Sequence, residues 1–275
     1  MNEDPISLKN YLRPIAILVT FGIMVSTIFI VSFSLYDNND SNDQAVILKA
    51  AIIDQLYDDI PNENYHHKVT RFLEIAGYSV DLYTTKDITV DFYKKLPSMD
   101  YQYIVIRSHS LENLPAFDSG ALFTGEKYSH DRHSVDQLSG HVWKGVPYPN
   151  RHVQQVGWEN LEDETYFLIG SKFIDEKMRS QFPDSVIILG GCDTISNKLV
   201  TKSLLNRGAS TVVGWNGLVN SDQNDTVILS FLEKVLIDKV EVKIAVKSAM
   251  KDYETSDESL KLEYFTPVHV ETRLI

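Results

Sequence analysis

Along the chain, apolar and polar positions fall into three regimes. Ile15 to Leu35 is an apolar run without one charged side chain, about the ~20 residues a helix needs to cross hydrocarbon. Asp37 to Gln44 is polar and rich in Asn and Asp, a flexible spacer. From Ala45 onward, short apolar runs alternate with segments of helical spacing. Ala45 to Leu56 is near-continuous in apolar character, as expected of a strand buried on both faces of a parallel sheet. Val69, Phe72, Leu73 and Ala76 recur at helical intervals within Asn64 to Ala76, and Gly77 supplies the residue favoured just past a helix end. Tyr78 to Tyr83 reads as a second strand, Val90 to Leu96 as a short helix closed by Pro97, and Tyr103 to Arg107 as a third strand. That alternation predicts a doubly wound sheet with right-handed crossovers.

Leu111 to Asn160 breaks the rhythm. It is rich in Gly, Pro, His, Asp and Tyr, with little periodicity, and reads as a loop-rich insertion of hairpins over 111–160. Order returns with a strand at Tyr166 to Ile169, a helix over Phe173 to Phe182, and a strand at Ser185 to Leu189 that runs into Gly190, Gly191 and Cys192. A helix over Lys198 to Arg207, a strand over Ala209 to Gly214, helices over Val227 to Leu236 and Val242 to Met250, and a last strand over Phe265 to Val270 complete the reading. The expected organisation is a cytoplasmic tail (1–14), a transmembrane helix (15–35), a linker (36–44) and one α/β domain (45–275). Lys9 and Arg13 precede the apolar run, and Asp37, Asp40 and Asp43 follow it. The positive-inside tendency therefore leaves the amino terminus cytoplasmic and the domain extracytoplasmic. A cleaved signal peptide is the competing reading. Its apolar core is usually ~7–15 residues with a small-residue cleavage site, whereas this run is longer and no Ala-x-Ala follows.

Composition narrows the classes. A net charge of −12 disfavours nucleic-acid partners, which require a basic face to displace phosphate counterions. Hydrophobic residues at 43% and aromatics at 11% are those of a chain that folds. The chain has one cysteine, Cys192, so an intrachain disulfide is excluded. In an exported domain a lone cysteine reads either as a free reactive thiol or as a small buried hydrophobe.

Position favours chemistry. In open α/β sheets ligands sit beyond the carboxyl ends of the strands near a topological switch. Tyr103 to Ile106 runs into Arg107-Ser108-His109-Ser110, and Val186 to Leu189 runs into Gly190-Gly191-Cys192-Asp193-Thr194. A cysteine attacks as thiolate, and a neighbouring imidazole or helix amino terminus lowers its pKa; both are expected at Cys192. The paired glycines permit a sharp exit from the strand. The amides of Ser110 and Cys192 are candidates for an oxyanion hole.

"IVIRSHS", then "IILGGCDT", then "LLNRGASTVVGWNGLV" resembles the cysteine peptidases that include caspases, gingipains, clostripain and the CHAT domains. The resemblance implies a caspase-like three-layer sandwich with a mostly parallel central sheet. It also implies His109 as general base, Cys192 as nucleophile, and a substrate cleft bordered by the strand Ala209 to Gly214 and the loop at Trp215, Asn216 and Gly217. No cofactor is implied, and the partner is a polypeptide substrate. Ser110 stands where the family favours glycine. The 83-residue gap from His109 to Cys192 exceeds the roughly 50 of caspases, and the caspase Gln-Ala-Cys-x-Gly sequence is missing, so aspartate specificity does not follow.

Other residues carry weaker signals. Asp193 could orient the dyad, bind a basic substrate residue, or cap the following helix. Trp215 reads equally as cleft wall or core. His130, Asp131, His133, His141 and His152 cluster in the insertion without matching a zinc pattern, and solvated loop histidines are preferred to a metal site. Asn224-Asp225-Thr226 matches the glycosylation acceptor pattern, a slight argument for exposure. The expected function is a membrane-anchored cysteine endopeptidase. The rival is a catalytically inactive binding or sensor module on the same fold, and the oligomeric state is open.

Overall fold

A computed structural model describes residues 47–110, 120–147, 165–196, 198–253 and 259–267. The expected tail, transmembrane helix and linker lie outside the described residues. Among the described residues no helix is long and apolar enough to cross a membrane.

Nine strands form two sheets among the described residues. Strand β1 (Leu48–Asp54) leads into helix α1 (Glu63–Ile75), whose cap is Asn62, its side chain accepting from the Tyr65 N–H. Gly77, at φ 95°, turns the chain into β2 (Tyr78–Thr84). Helix α2 (Val90–Lys95) returns it to β3 (Tyr103–Arg107), where every residue is buried. Next come β4 (Leu122–Lys127), α3 (Ser134–Leu138), β5 (Val142–Gly145) and β6 (Tyr166–Ile169), then α4 (Ser171–Lys177) and β7 (Val186–Gly190). Helix α5 (Leu199–Asn206), β8 (Thr211–Trp215), α6 (Ser221–Leu232), α7 (Val242–Lys251) and β9 (Leu262–Phe265) follow.

The main sheet has the order β2-β1-β3-β7-β8-β9. Its first five strands run parallel and β9 pairs antiparallel with β8. Successive side chains in a strand face opposite ways, so the central strands bury both faces. Ala50, Ile52, Val105, Ile188 and Val213 pack with residues of α1, α6 and α7. Ala51, Ile53, Ile104, Ile106, Ile187 and Leu189 pack with residues of α2, α4 and α5. This is a mixed α/β fold with helices on both faces of a mostly parallel sheet. The chain leaves β1 towards β2 on one side and leaves β3 towards β7 on the other, so β1 and β3 flank a topological switch.

The structure departs from the sequence expectations at four places. The expected hairpins of the insertion form a separate antiparallel sheet, β4-β6-β5, which claims Tyr166–Ile169 as well. Helix α4 stops at Lys177 instead of reaching Phe182, because the carbonyls of Met178 and Ser180 accept from the Arg207 guanidinium, while Ser180 and Asp184 take left-handed φ of 64° and 58°. Helix α6 begins at Ser221 rather than Val227, since Asn220 caps it and its first turn buries the polar Gln223, Asn224 and Asp225. The last strand begins at Leu262, where Lys261 N–H donates to Asn216 Oδ1 at 2.6 Å.

Polar burial at α6 has a counterpart on the strands. Arg107 ends β3 fully buried and grips Asp225 with two bonds, Nε to Oδ1 at 2.8 Å and Nη2 to Oδ2 at 3.0 Å. Its Nη1 reaches both oxygens of Asp54, at the end of β1, at 3.2 and 3.1 Å. His66 Nε2 lies 2.5 Å from Asp54 Oδ2, Asn62 Nδ2 donates to Asp225 Oδ2 at 2.8 Å, and Arg107 Nη2 donates to the Ile60 carbonyl at 2.9 Å. Burial pushes the Arg107 pKa down, but its carboxylate partners outweigh this and hold it above its ordinary value. Removing one member of such a network leaves uncompensated buried charge, which costs about 3–5 kcal/mol. Arg107→Met is therefore expected to lower unfolding free energy by that amount in urea titrations; a loss under about 1 kcal/mol would show that water already screens the carboxylates.

Candidate active site

The two strand ends singled out in the sequence are neighbours. Parallel pairing of β3 with β7 sets Arg107 opposite Gly190, and His109 and Cys192 each follow two residues beyond that last pair. The chains stay joined past the ladder: Ser108 N–H donates to the Gly190 carbonyl at 3.0 Å, and the Ser110 hydroxyl donates to the Cys192 carbonyl. A Cβ on Gly191 would lie 2.4 Å from the Ser108 carbonyl oxygen. Only glycine lets the two backbones approach so closely.

His109 is half-buried and held on both sides. Its N–H donates to Gln55 Oε1 at 3.0 Å, and its carbonyl accepts from the Phe123 N–H at 3.2 Å. Its ring meets the Phe123 ring edge-on, 6.2 Å between centroids. Burial lowers the imidazole pKa below its ordinary value; the Asp59 charge opposes this and the Arg107 charge reinforces it. The ring is thus neutral near pH 7, the state a general base requires.

Cys192 is half-buried against the apolar layer beneath α1 and α6, and its thiol donates to the Val219 carbonyl at 3.2 Å. The expected help from the helix that follows in sequence is not found. Residues 191–196 form turns, and α5 begins only at Leu199 with Lys198 as cap. The helix start that adjoins the sulfur is that of α6, since Val219 directly precedes its cap, Asn220.

The remaining predicted residues divide. Ser110 pairs across to Leu122 in a bridge whose hydrogen bond runs from Phe123 N–H to the His109 carbonyl, so the Ser110 amide is turned away from β4. Asp193 adopts a left-handed φ of 54° and accepts from the Ser196 hydroxyl; it does not cap α5. Its amide donates to the Gly217 carbonyl at 2.8 Å. Trp215 is fully buried, with Nε1 donating to Asn224 Oδ1 at 2.9 Å, so the side chain is core and not a cleft wall. Asn216 uses its amide to clamp Ser259 and Lys261, which secures β9 to the end of β8. Gly217 borders the Cys192 loop through its carbonyl.

Of the insertion's histidines, His133 bonds Glu126 at 2.8 Å and His141 bonds Glu176 at 2.6 Å. His152 lies outside the described residues. Among the described residues no group of three or more His, Cys, Asp or Glu side chains could hold a metal ion. Asn224 is buried in the Trp215 and Asp225 network, so its acceptor pattern is not displayed at the surface. Sequence reasoning missed Gln55, Asp54, Arg107 and Asp225. The available signal was the polar pair Asp54-Gln55 interrupting the apolar run Ala45 to Leu56.

Two outcomes follow from this geometry. Below about pH 6.5 the unfolded chain takes up a proton that buried His109 refuses, so the fold loses stability as pH falls. His109→Gln is expected to shrink the drop in melting temperature between about pH 7 and pH 5; equal drops would contradict a buried neutral ring. Gly191→Ala forces the β3 and β7 exits apart and is expected to cost about 1–3 kcal/mol, read from the denaturation midpoint. No family model matches the chain, and a search among curated proteins finds no match.

Proposed function

We propose that the domain is a cysteine endopeptidase of the caspase and gingipain kind, held extracytoplasmically by the apolar segment 15–35. The observation that supports the reading is the β3–β7 pairing, whose last pair, Arg107 with Gly190, stands two residues before a histidine of lowered pKa on one strand exit and two residues before the chain's one cysteine on the other. A sheet covered by helices on both faces is compatible with the caspase-like sandwich.

The chemistry runs in two halves. His109 accepts the Cys192 thiol proton, and the thiolate attacks the scissile carbonyl to form a tetrahedral oxyanion, for which the Ser110 and Cys192 amides are the candidate donors. Collapse breaks the C–N bond, His109 hands the proton to the leaving amine, and an acyl-enzyme remains on the sulfur. Water, deprotonated by His109, then releases the acid and restores the thiol. In this scheme the thiol must first leave the Val219 carbonyl. That contact is also what favours the second reading, a binding or sensor module on the same scaffold, because it engages the sulfur with a main-chain acceptor.

The test is cleavage of a peptide library by the full 275-residue chain in detergent. Wild type is expected to cut and Cys192→Ala to lose at least about a thousandfold in rate. Undiminished cleavage by the variant, or no cleavage by wild type under conditions where it is folded, would reject the peptidase.

A further inference from the structure

We infer that Gln55 is a positioning residue for His109, a role that rests on the proposed reading of His109 as the base serving Cys192. Gln55 follows β1 at the topological switch and is completely buried. Its main chain is committed: the N–H donates to the Arg107 carbonyl at 2.8 Å and the carbonyl accepts from Thr85 Oγ1 at 3.1 Å. Its side chain makes one bond, Oε1 accepting the His109 N–H at 3.0 Å. Among the described residues Nε2 finds no protein acceptor.

That imbalance is informative. A buried amide donor left without a protein partner is unfavourable, and an apolar side chain of similar volume would avoid it. Only the oxygen of the carboxamide can accept an N–H, so the contact with His109 fixes which end faces the turn. The β1–β3 register pairs Asp54 with Arg107, and its next step pairs Gln55 with Ser108. Side-chain alternation puts this pair on the face opposite the ionic network. The Ser108 hydroxyl is buried there and also lacks a protein partner.

Two bonds bracket the exit from β3. On the β7 side Ser108 N–H is held by the Gly190 carbonyl, a main-chain contact that no substitution removes. On the β1 side His109 N–H is held by Gln55, a side chain. The position of the imidazole relative to the sulfur therefore depends in part on a replaceable side-chain acceptor, beside the Ser110 tie to the Cys192 carbonyl. An error of about 1 Å at a reacting group can cost on the order of a hundredfold. Asp59 and Arg107, the charges that act on the ring, belong to the same two strand exits.

The experiment measures the rate of Cys192 alkylation by iodoacetamide near neutral pH in the full chain, with a thermal melt of each variant. His109→Ala sets the rate without the base. Gln55→Met fills the space without an acceptor, and Gln55→Asn draws the acceptor back by one methylene. Both are expected to lower the rate about tenfold, a loss equivalent to one misplaced hydrogen bond. Gln55→Glu keeps the oxygen at full reach and is expected to stay close to wild type. A purely structural role gives the opposite order, since buried Met is tolerated better than buried Glu. Should Gln55→Met fail to fold, the comparison of Asn with Glu decides the matter. If the disabling variants react at the wild-type rate while His109→Ala does not, Gln55 has no such role and the peptidase reading survives. If His109→Ala itself reacts as wild type, both fall.

Discussion

One guanidinium shared between two buried carboxylates governs how the ends of this sheet are arranged. Arg107, Asp54 and Asp225 come from β3, β1 and α6, and all three are removed from water. Such a cluster is a weak source of stability, because desolvating the charges offsets most of their attraction. It is a strong source of registry. A one-residue slip of β3 would place Arg107 on the other face, among Ile53, Ile187 and Leu189 of the adjoining strands, with no carboxylate to meet it. The helices are tied in by the same means, with His66 and Asn62 from the start of α1 and Asn224 from the start of α6 joining the network. Trp215 closes it from β8.

The two faces of the sheet divide the work at its carboxyl edge. Under α1 and α6 the strand ends are ionic, and this face fixes where β1, β3 and α6 finish. On the opposite face the same strands carry neutral polar groups, Gln55 and Ser108, and from there the chain is directed into the His109 turn. His109 feels both arrangements. Burial and the Arg107 charge depress its pKa, while Asp59 restrains the shift. A neutral imidazole can accept a proton, and the proposed chemistry needs that before anything else.

The sulfur side is built from glycine and backbone. Gly191 admits the Ser108 carbonyl at a distance no other residue allows, and the Ser110 hydroxyl bridges to the Cys192 carbonyl. Serine at position 110 thus ties the two loops together through its side chain. The loop after β8 reaches back through the Gly217 and Val219 carbonyls to the Asp193 amide and the Cys192 thiol. Under the peptidase reading, substrate engagement or loop movement near α6 has to release the sulfur from the Val219 carbonyl.

Much of this was legible in the chain. Apolar runs of strand length separated by helical spacing determined the alternation of elements, because a strand buried on both faces is built mostly from apolar residues. Tyr103 to Arg107 was read with its observed bounds, and the two strand-end motifs were found because reactive side chains directly after such runs are conspicuous. Helix α6 was read late, since its first turn buries polar residues whose partners lie far away in sequence. Asn224 was read as a surface feature for the same reason, and Trp215 was left even between cleft wall and core. Local pattern reports whether a residue is apolar, not which distant group satisfies a polar one. Asp54, Arg107 and Asp225 look in sequence like ordinary charges at strand and helix ends; tertiary structure alone brings them together, because each is stable in the interior only when the other two are there.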